Sequence, residues 1–423
     1  MKTFQEPGRE IPVARDTDVV VVGGGPAGFA AAVASARSGA RTTLVERFGF
    51  LGGMATAGLM ANLNGFRNQV EPDSTQTVRG IAEELVLALK AGGGTGKSPY
   101  PQKEYPGEPG AMAYSYAVDT EKVKFETLRM CVRAGVDAMF HCWFSSPIME
   151  NGRVRGVIVE DKSGRRALLA KTVVDATGDG DVAARAGAPF RGTMDDAEHA
   201  LGNSLMYRIQ LEPGHPPVAG MMDLGRDLVV WGPYSAAVDG TNADELSRVE
   251  AESRLKVLAD FAEKQSANPG LQGAKVAETP VMMGIRQTRF IDGDYQLTGE
   301  DAIAGRRFPD VIAISSCPII SWYGKRRYLT HEGYDIPYRC LLPKMVEGLL
   351  VAGRCISSDQ RAYESHRAML PMMAIGQAAG TAAALSAREG ISPRALSVPL
   401  LQRALLGQNA VLHIGPAVPD SGR

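Results

Sequence analysis

The amino-acid sequence predicts an α/β protein: a Rossmann-type domain built on a parallel sheet and a β-meander, with a mixed α+β domain inserted into it. Three observations lead there. Residues 18–46, DVVVVGGGPAGFAAAVASARSGARTTLVE, read as strand, glycine turn, helix and second strand. Residues 136–176 read as successive strands with a hairpin turn at Asn151-Gly152. Residues 334–387, after a long stretch of mixed character, return to short apolar strands and an Ala/Gly-rich helix.

Residues 18–22 are a short β-branched apolar run, as a parallel strand buried on both faces requires. Gly23, Gly25 and Gly28 then fill G-x-G-x-x-G. The first glycine allows the tight turn, the second lets backbone approach a pyrophosphate, and the third lets helix pack closely on strand. Residues 29–37 are mostly small, so the helix can press against the sheet with its N-terminal amides and dipole facing phosphates. Gly39 stops it. Residues 41–45 form the next strand, and Glu46 lies 18 residues beyond Gly28, near the spacing at which an acid meets a ribose hydroxyl. A glycine pattern alone is weak; strand, helix and acid around it specify dinucleotide binding.

Beyond Glu46, the loop RFGFLGGMATAGLMANLNG carries Gly52, Gly53, Met54 and Thr56, placed to run under a cofactor. Residues 78–90 have the apolar spacing of an amphipathic core helix. AGGGTGKS, residues 91–98, matches a relaxed phosphate-loop pattern, but a helix precedes it and prolines follow it, the reverse of the order a phosphate loop needs. It reads as surface loop, with the chain to about Gly110 mobile. Residues 118–134 form a helix ended by Gly135. In the strand-like run VDAMFHCWF, His141 and Cys142 alternate and so cannot share a metal. A strand at 171–176 leads into a Gly/Asp-rich turn at 177–181. The inserted region holds a charged helix, 243–265, and the segment MMGIRQTRFIDGDYQLTGED with Arg286 and Arg289 three apart, which a turn or helix would bring together on an anion. Arg306, Arg307, Lys325, Arg326 and Arg327 read as solvated surface. Residues 348–352 are a buried strand with Gly353-Arg354 at its C-terminal end, where ligands sit in parallel sheets. Residues 371–387 are a helix opened by proline, and 399–406 a last short helix.

The chain has 423 residues, 46 Lys plus Arg against 47 Asp plus Glu, and a formal charge of -1, a balance that implies neither a nucleic-acid nor an anionic-membrane partner. Its five cysteines contain no C-x-x-C pair, which argues against a disulfide scaffold, a redox dithiol and a zinc site. No metal is expected. The polar, proline-interrupted N-terminus does not read as a signal peptide, and no apolar run reaches the ~18 residues of a membrane span. The expected location is cytoplasmic.

VVVVGGGPAGFAAA with Glu46, LGGMAT, VVDATGDGD, GIRQTRFIDGDYQLT, and EGLLVAGRCIS followed by AIGQAAGTAAAL together resemble the FAD-dependent oxidoreductases of the glutathione-reductase-like fold, near the fumarate-reductase branch. That resemblance implies FAD extended across a discontinuous FAD-binding domain of residues 14–60, 115–190 and 335–390. A partly mobile insertion at 61–114, a substrate or cap domain at 191–334 and a C-terminal tail at 391–423 complete the chain. By the same resemblance, Glu46 with Arg47 beside it binds the adenosine ribose, and Gly23, Gly25, Pro26, Ala27 and Gly28 the pyrophosphate. Gly53, Met54 and Thr56 line the ribityl-flavin path, Trp143 or Phe144 lies beside adenine, and Ala176, Thr177 and Gly178 lie beneath the cofactor. Gly353 and Arg354 meet its ribityl or pyrophosphate portion. Amides near Met372 and Met373, in the helix that contains Gly376, stabilise the flavin when it becomes anionic on reduction. One departure stands out: Gln287 occupies the place of a glutamate in the family's middle motif.

The implied activity is oxidation of a small polar or anionic substrate by hydride transfer to flavin N5, with the electrons passing on to oxygen, a quinone or a carrier protein. His331, His366 and Tyr338 are the candidate bases. Arg286, Arg289 and Arg367 are the candidate anchors for a carboxylate or oxyanion. A flavin reductase of the fumarate-reductase kind, a flavin monooxygenase and a non-catalytic FAD-binding protein are the alternatives, and an oligomer is compatible with all of them.

Overall fold

The computed structural model describes residues 2–70, 74–100, 112–214, 218–321 and 325–414. Its main sheet begins with β1 (Val13–Val22), followed by helix α1 (Pro26–Arg37) and β2 (Thr42–Val45). Val19 to Val22 are at most 2% exposed, which is why the C-terminal half of this strand carries no polar face. Helix α2 (Ile81–Ala91) turns Ile81, Leu85 and Leu89 into the core. Helix α3 (Thr120–Ala134) is capped by Asp119, whose carboxylate accepts from the Glu121 and Lys122 amides, and ends on left-handed Gly135.

β3 (Asp137–Met139), β4 (Trp143–Glu150), β5 (Arg153–Asp161), β6 (Gly164–Asp175) and β7 (Leu349–Val351) complete the sheet. The order β3-β2-β1-β6-β7 is parallel throughout, with Val22 opposite both Val45 and Asp175, and Val351 also opposite Asp175. β6 is long enough to serve twice. One edge runs along β1 from Ala167 to Asp175, while the other pairs first with β5 over Gly164 to Leu169, closing the antiparallel meander β4-β5-β6, and then with β7 over Val173 to Asp175. At the β4–β5 turn, Asn151 and Gly152 both take the positive φ expected of a two-residue hairpin.

The short helix α4 (Asp181–Arg185) follows β6, and the chain then enters a second core. Here strands Met222–Asp223, Asp227–Val230, Tyr207–Gln210 and Lys275–Glu278 make an antiparallel sheet in that order. Helix α5 (Ala243–Ala267), capped by Asn242, buries Val249, Ser253, Val257 and Phe261 along one stripe, three of them in that core. After α6 (Gly299–Ala304) the chain returns through β7 to α7 (Gln360–His366), α8 (Met369–Glu389) and α9 (Val398–Gly407). α8 is buried almost all round because it lies directly on α1. A Cβ on Gly376 would stand 2.0 Å from the Ala27 carbonyl oxygen, and one on Gly380 2.0 Å from that of Ala31. Among the described residues, no single helix is long and apolar enough to cross a membrane.

Two local expectations change, and a third falls outside the described residues. Residues 95–96, expected as loop, form a short strand on Ser115–Val118, which also pairs with Asn62–Asn64, and Lys97 bridges to Asp223. The mobility expected of the chain toward Gly110 falls on residues 101–111, outside the described residues, as do residues 415–423 of the tail. His141 and Cys142 do not alternate along one strand. They lie between β3 and β4, where His141 takes a φ of 52° and the Cys142 thiol meets Asp161 at 3.8 Å. No cluster of three metal-ligating side chains occurs among the described residues.

Candidate active site

An elongated cavity of about 590 Å³ runs from the β1–α1 turn to the start of α8, roofed by the second core. Two helix N-termini open into it. α1 starts from Gly25 and α8 from Ala368 without a side-chain cap, leaving backbone N–H groups and the positive dipole ends for an anionic or electron-rich group. A Cβ on Gly25 would reach nothing nearer than Gly53 Cα at 3.8 Å, so this turn faces open space. Glu46 accepts the Gly24 amide at 2.7 Å and the Phe48 amide at 2.9 Å, one on each oxygen. Burial raises its pKa against the pull of those amides.

Most residues assigned to a dinucleotide converge here. Gly23, Gly25, Pro26, Ala27, Glu46, Arg47, Gly53, Met54, Trp143, Phe144, Ala176, Thr177, Gly178, Gly353, Arg354 and Met372 line the cavity. The Arg47 guanidinium lies 5.5 Å from the Trp143 ring, tying the two strands that border this end. Four assigned residues stand behind the lining. Gly28 is where α1 meets β1, since a Cβ there would be 1.7 Å from the Gly23 carbonyl oxygen. Thr56 spends its hydroxyl on Leu51 O at 2.8 Å. Met373 and Gly376 face the helix packing.

Arg354 lines the cavity as a clamp. Its Nε donates to Gly178 O at 2.7 Å, its Nη2 to Asp179 at 2.5 Å, and its Nη1 to the Ile285 carbonyl. Below that turn, Asp175 receives the Thr177 and Ala183 amides and the Thr177 hydroxyl, while burial pushes its carboxyl up to about 6.

The segment 285–289 is fastened at nearly every residue. Beyond the Ile285 carbonyl, the Arg286 carbonyl accepts from Tyr363 OH, and Gln287 exchanges hydrogen bonds with Gln360 while receiving the Leu201 amide. Gln287 thus does neutral structural work at the position where the resembled motif has a glutamate. Thr288 donates to Asp179, and Arg289 donates to the Asp179 carbonyl at 2.9 Å and to Asp181 at 2.8 Å. Arg289 therefore belongs to the scaffold and not to the lining, a correction that follows from its pairing.

The Arg286 side chain is the exception. It makes no hydrogen bond or ion pair among the described residues, reaches only the Tyr234 ring at 5.9 Å, and lines the cavity together with Arg367, which likewise has no carboxylate partner. Burial, and then the like charge of Arg367, hold its pKa below the ordinary value.

The three expected bases lie elsewhere, each for a visible reason. His331 uses Nε2 on Ala302 O and Nδ1 on the Gly333 amide. Tyr338 donates to Pro393 O at 2.9 Å. His366 is fully buried against Ser358, and burial drives it down to about 3, leaving it neutral. None lines the cavity. Glu364 does, and sequence reasoning missed it although it and Tyr363 precede Arg367 by three and four residues, a helical spacing that places all three on one side of α7. Asn62 and Asn64 were missed too. They are alternate residues of a strand and so share the face that lines the cavity.

A five-stranded parallel sheet, a glycine turn at an uncapped helix start and a second uncapped helix across an elongated cavity define a Rossmann-type dinucleotide-binding protein. The chain belongs to the FAD dependent oxidoreductase family, whose model matches residues 18–213 and 224–405. It is a FAD-dependent oxidoreductase, and the two helix ends, Glu46 and the open glycine turn fit that cofactor. Among solved structures it is similar to a geranylgeranyl bacteriochlorophyll reductase-like protein of Thermoplasma acidophilum, at 16% identity and a TM-score of 0.52, over 94% of this chain and 84% of that one. An L-proline dehydrogenase of P. horikoshii matches at 14% identity and a TM-score of 0.44, over 95% and 100%. No curated protein matches the chain.

Proposed function

We propose that the protein oxidises a small organic anion, with Arg286 and Arg367 holding its carboxylate. FAD, when bound, supplies the two-electron acceptor at flavin N5. The observation that carries this reading is that Arg286 and Arg367 both line the cavity and neither has an ion-pair partner among the described residues. Most other arginines here are paired with acids, and cations left unpaired near each other are unfavourable until an anion enters. The protein's part is to orient that anion, to fix the segment bearing Arg286 through Arg354 and Tyr363, and to keep water from the cavity.

An anaerobic panel of small carboxylates and their neutral amides or esters tests it by bleaching of the flavin. Carboxylates should bleach the wild type. Arg286→Leu and Arg367→Leu should each lower kcat/KM by roughly 10²-fold or more with FAD content unchanged. Bleaching by the neutral members alone overturns the reading. The fumarate-reductase-like motifs motivate the reverse direction, which reoxidation of the chemically reduced flavin by unsaturated or keto acids would reveal. The final acceptor, whether oxygen, a quinone or a carrier protein, is then read from which of them restores the oxidised flavin.

A further inference from the structure

Removing a hydride from carbon is incomplete without a home for a proton. Among the described residues four carboxylates line the cavity, and no histidine does. Glu46 has both oxygens on backbone amides at the far end. Asp179 is bound by Arg354 and Thr288, and Asp181 by Arg289. Glu364 differs from all three. One oxygen accepts a 3.3 Å hydrogen bond from Gln360, and among the described residues the other has no partner and no cation lies within ion-pair reach. Its place is set by a short carboxamide relay, because Gln360 is held by Gln287, the neighbour of Arg286 in sequence. The charged groups around it are Arg367, Arg361 and His199. Among other proton-bearing groups of the lining, Tyr363 is committed to the Arg286 carbonyl, and burial pushes the Cys317 thiol up to about 12.

We propose that Glu364 is the catalytic base, and that the substrate is accordingly a small carboxylate whose oxidised carbon bears an O–H or N–H. The inference rests on the anion site formed by Arg286 and Arg367. Glu364 takes the O–H or N–H proton as a C=O or C=N bond forms, and FAD, when bound, would supply the acceptor for the hydride that leaves the C–H bond. The charges agree with an anionic substrate: Arg286, Arg326 and Arg367 line the cavity without an ion-pair partner among the described residues, and Glu364 offsets only one of them.

The first test needs no substrate. Binding of acetate and of nitrate to the FAD-loaded protein is followed by the shift of the flavin spectrum between pH 5 and 9. In the wild type the affinity should fall roughly tenfold as Glu364 ionises, since a second anion then shares the site. Glu364→Gln keeps the Gln360 contact and the FAD, and should flatten that dependence. If the wild type binds neither anion, or Arg286→Leu binds them equally well, the anion site falls and this inference with it. If the anions bind and Glu364→Gln leaves the pH dependence intact, the anion site stands and Glu364 is not beside it. With a carboxylate that bleaches the flavin, Glu364→Gln should slow reduction by about 10² to 10⁴ at nearly constant KM, with partial rescue in Glu364→Asp. A rise in KM at an unchanged rate would overturn the role as base.

Discussion

Replacing Arg354 with methionine removes the clamp between the turn after β6 and the segment that carries Arg286. Methionine keeps the apolar reach of the side chain and none of its donors. Three acceptors lose their partner: Gly178 O, Ile285 O and the Asp179 carboxylate. Both side chains of the Arg354–Asp179 pair are less than a fifth exposed, and afterwards Asp179 retains only the Thr288 hydroxyl at 3.0 Å. Stranding a buried carboxylate costs about 3–5 kcal/mol. Each orphaned carbonyl costs about 1–3 kcal/mol, and least where cavity water can replace the donor. Because Asp179 also borders the cavity, the low end of each range applies, and the expected net loss is about 5 kcal/mol. Denaturant unfolding of the FAD-loaded protein, followed by flavin and tryptophan fluorescence, measures it. Adding Asp179→Asn removes the stranded charge and should return about half of the loss. A single-variant loss under about 1 kcal/mol, or a double variant no more stable than the single, would refute the assignment of Arg354 as a clamp whose main partner is a charge.

Two further outcomes follow from packing and protonation. Gly380→Leu should cost at least about 3 kcal/mol in thermal or denaturant unfolding, with Gly380→Ala intermediate, because α1 presents rigid backbone to that site; a Tm near the wild-type value for the leucine variant would contradict the contact. His366 stays neutral in the fold, its pKa lowered to about 3 from 6.5, so the unfolded chain takes up the proton first. Its contribution is complete above about pH 6.5 and is lost at about 1.4 kcal/mol per pH unit as pH falls toward 3. Subtracting the unfolding curve of His366→Gln from that of the wild type across pH 4–7 should isolate this slope, and parallel curves would show that His366 is not held neutral.

Much of the fold was legible because it is local. Residues 18–46 announce strand, turn and helix through β-branching, glycine and small side chains, and Asn151-Gly152 announces a hairpin through its tolerance of positive φ. The break at His141 was not legible, since the run around it carries strand-forming residues on both sides and the chain turns there only to leave the parallel sheet for the meander. Nor was the double service of β6, which depends on Leu349–Val351 arriving from the far end of the chain.

By itself the sequence determined that a glycine turn joins β1 to α1 as a dinucleotide fingerprint requires, that Glu46 follows the next strand, and that small residues let α8 lie against them. These are matters of neighbouring sterics and spacing. Which charges remain free for a substrate was decided only by the tertiary structure. Arg289 is neutralised by Asp181 across 108 residues of chain and Arg354 by Asp179 across 175, while Arg286, between similar neighbours, meets no acid among the described residues. A charged side chain looks alike in sequence whether it is paired or waiting, and only the arrival of a distant partner tells the two apart.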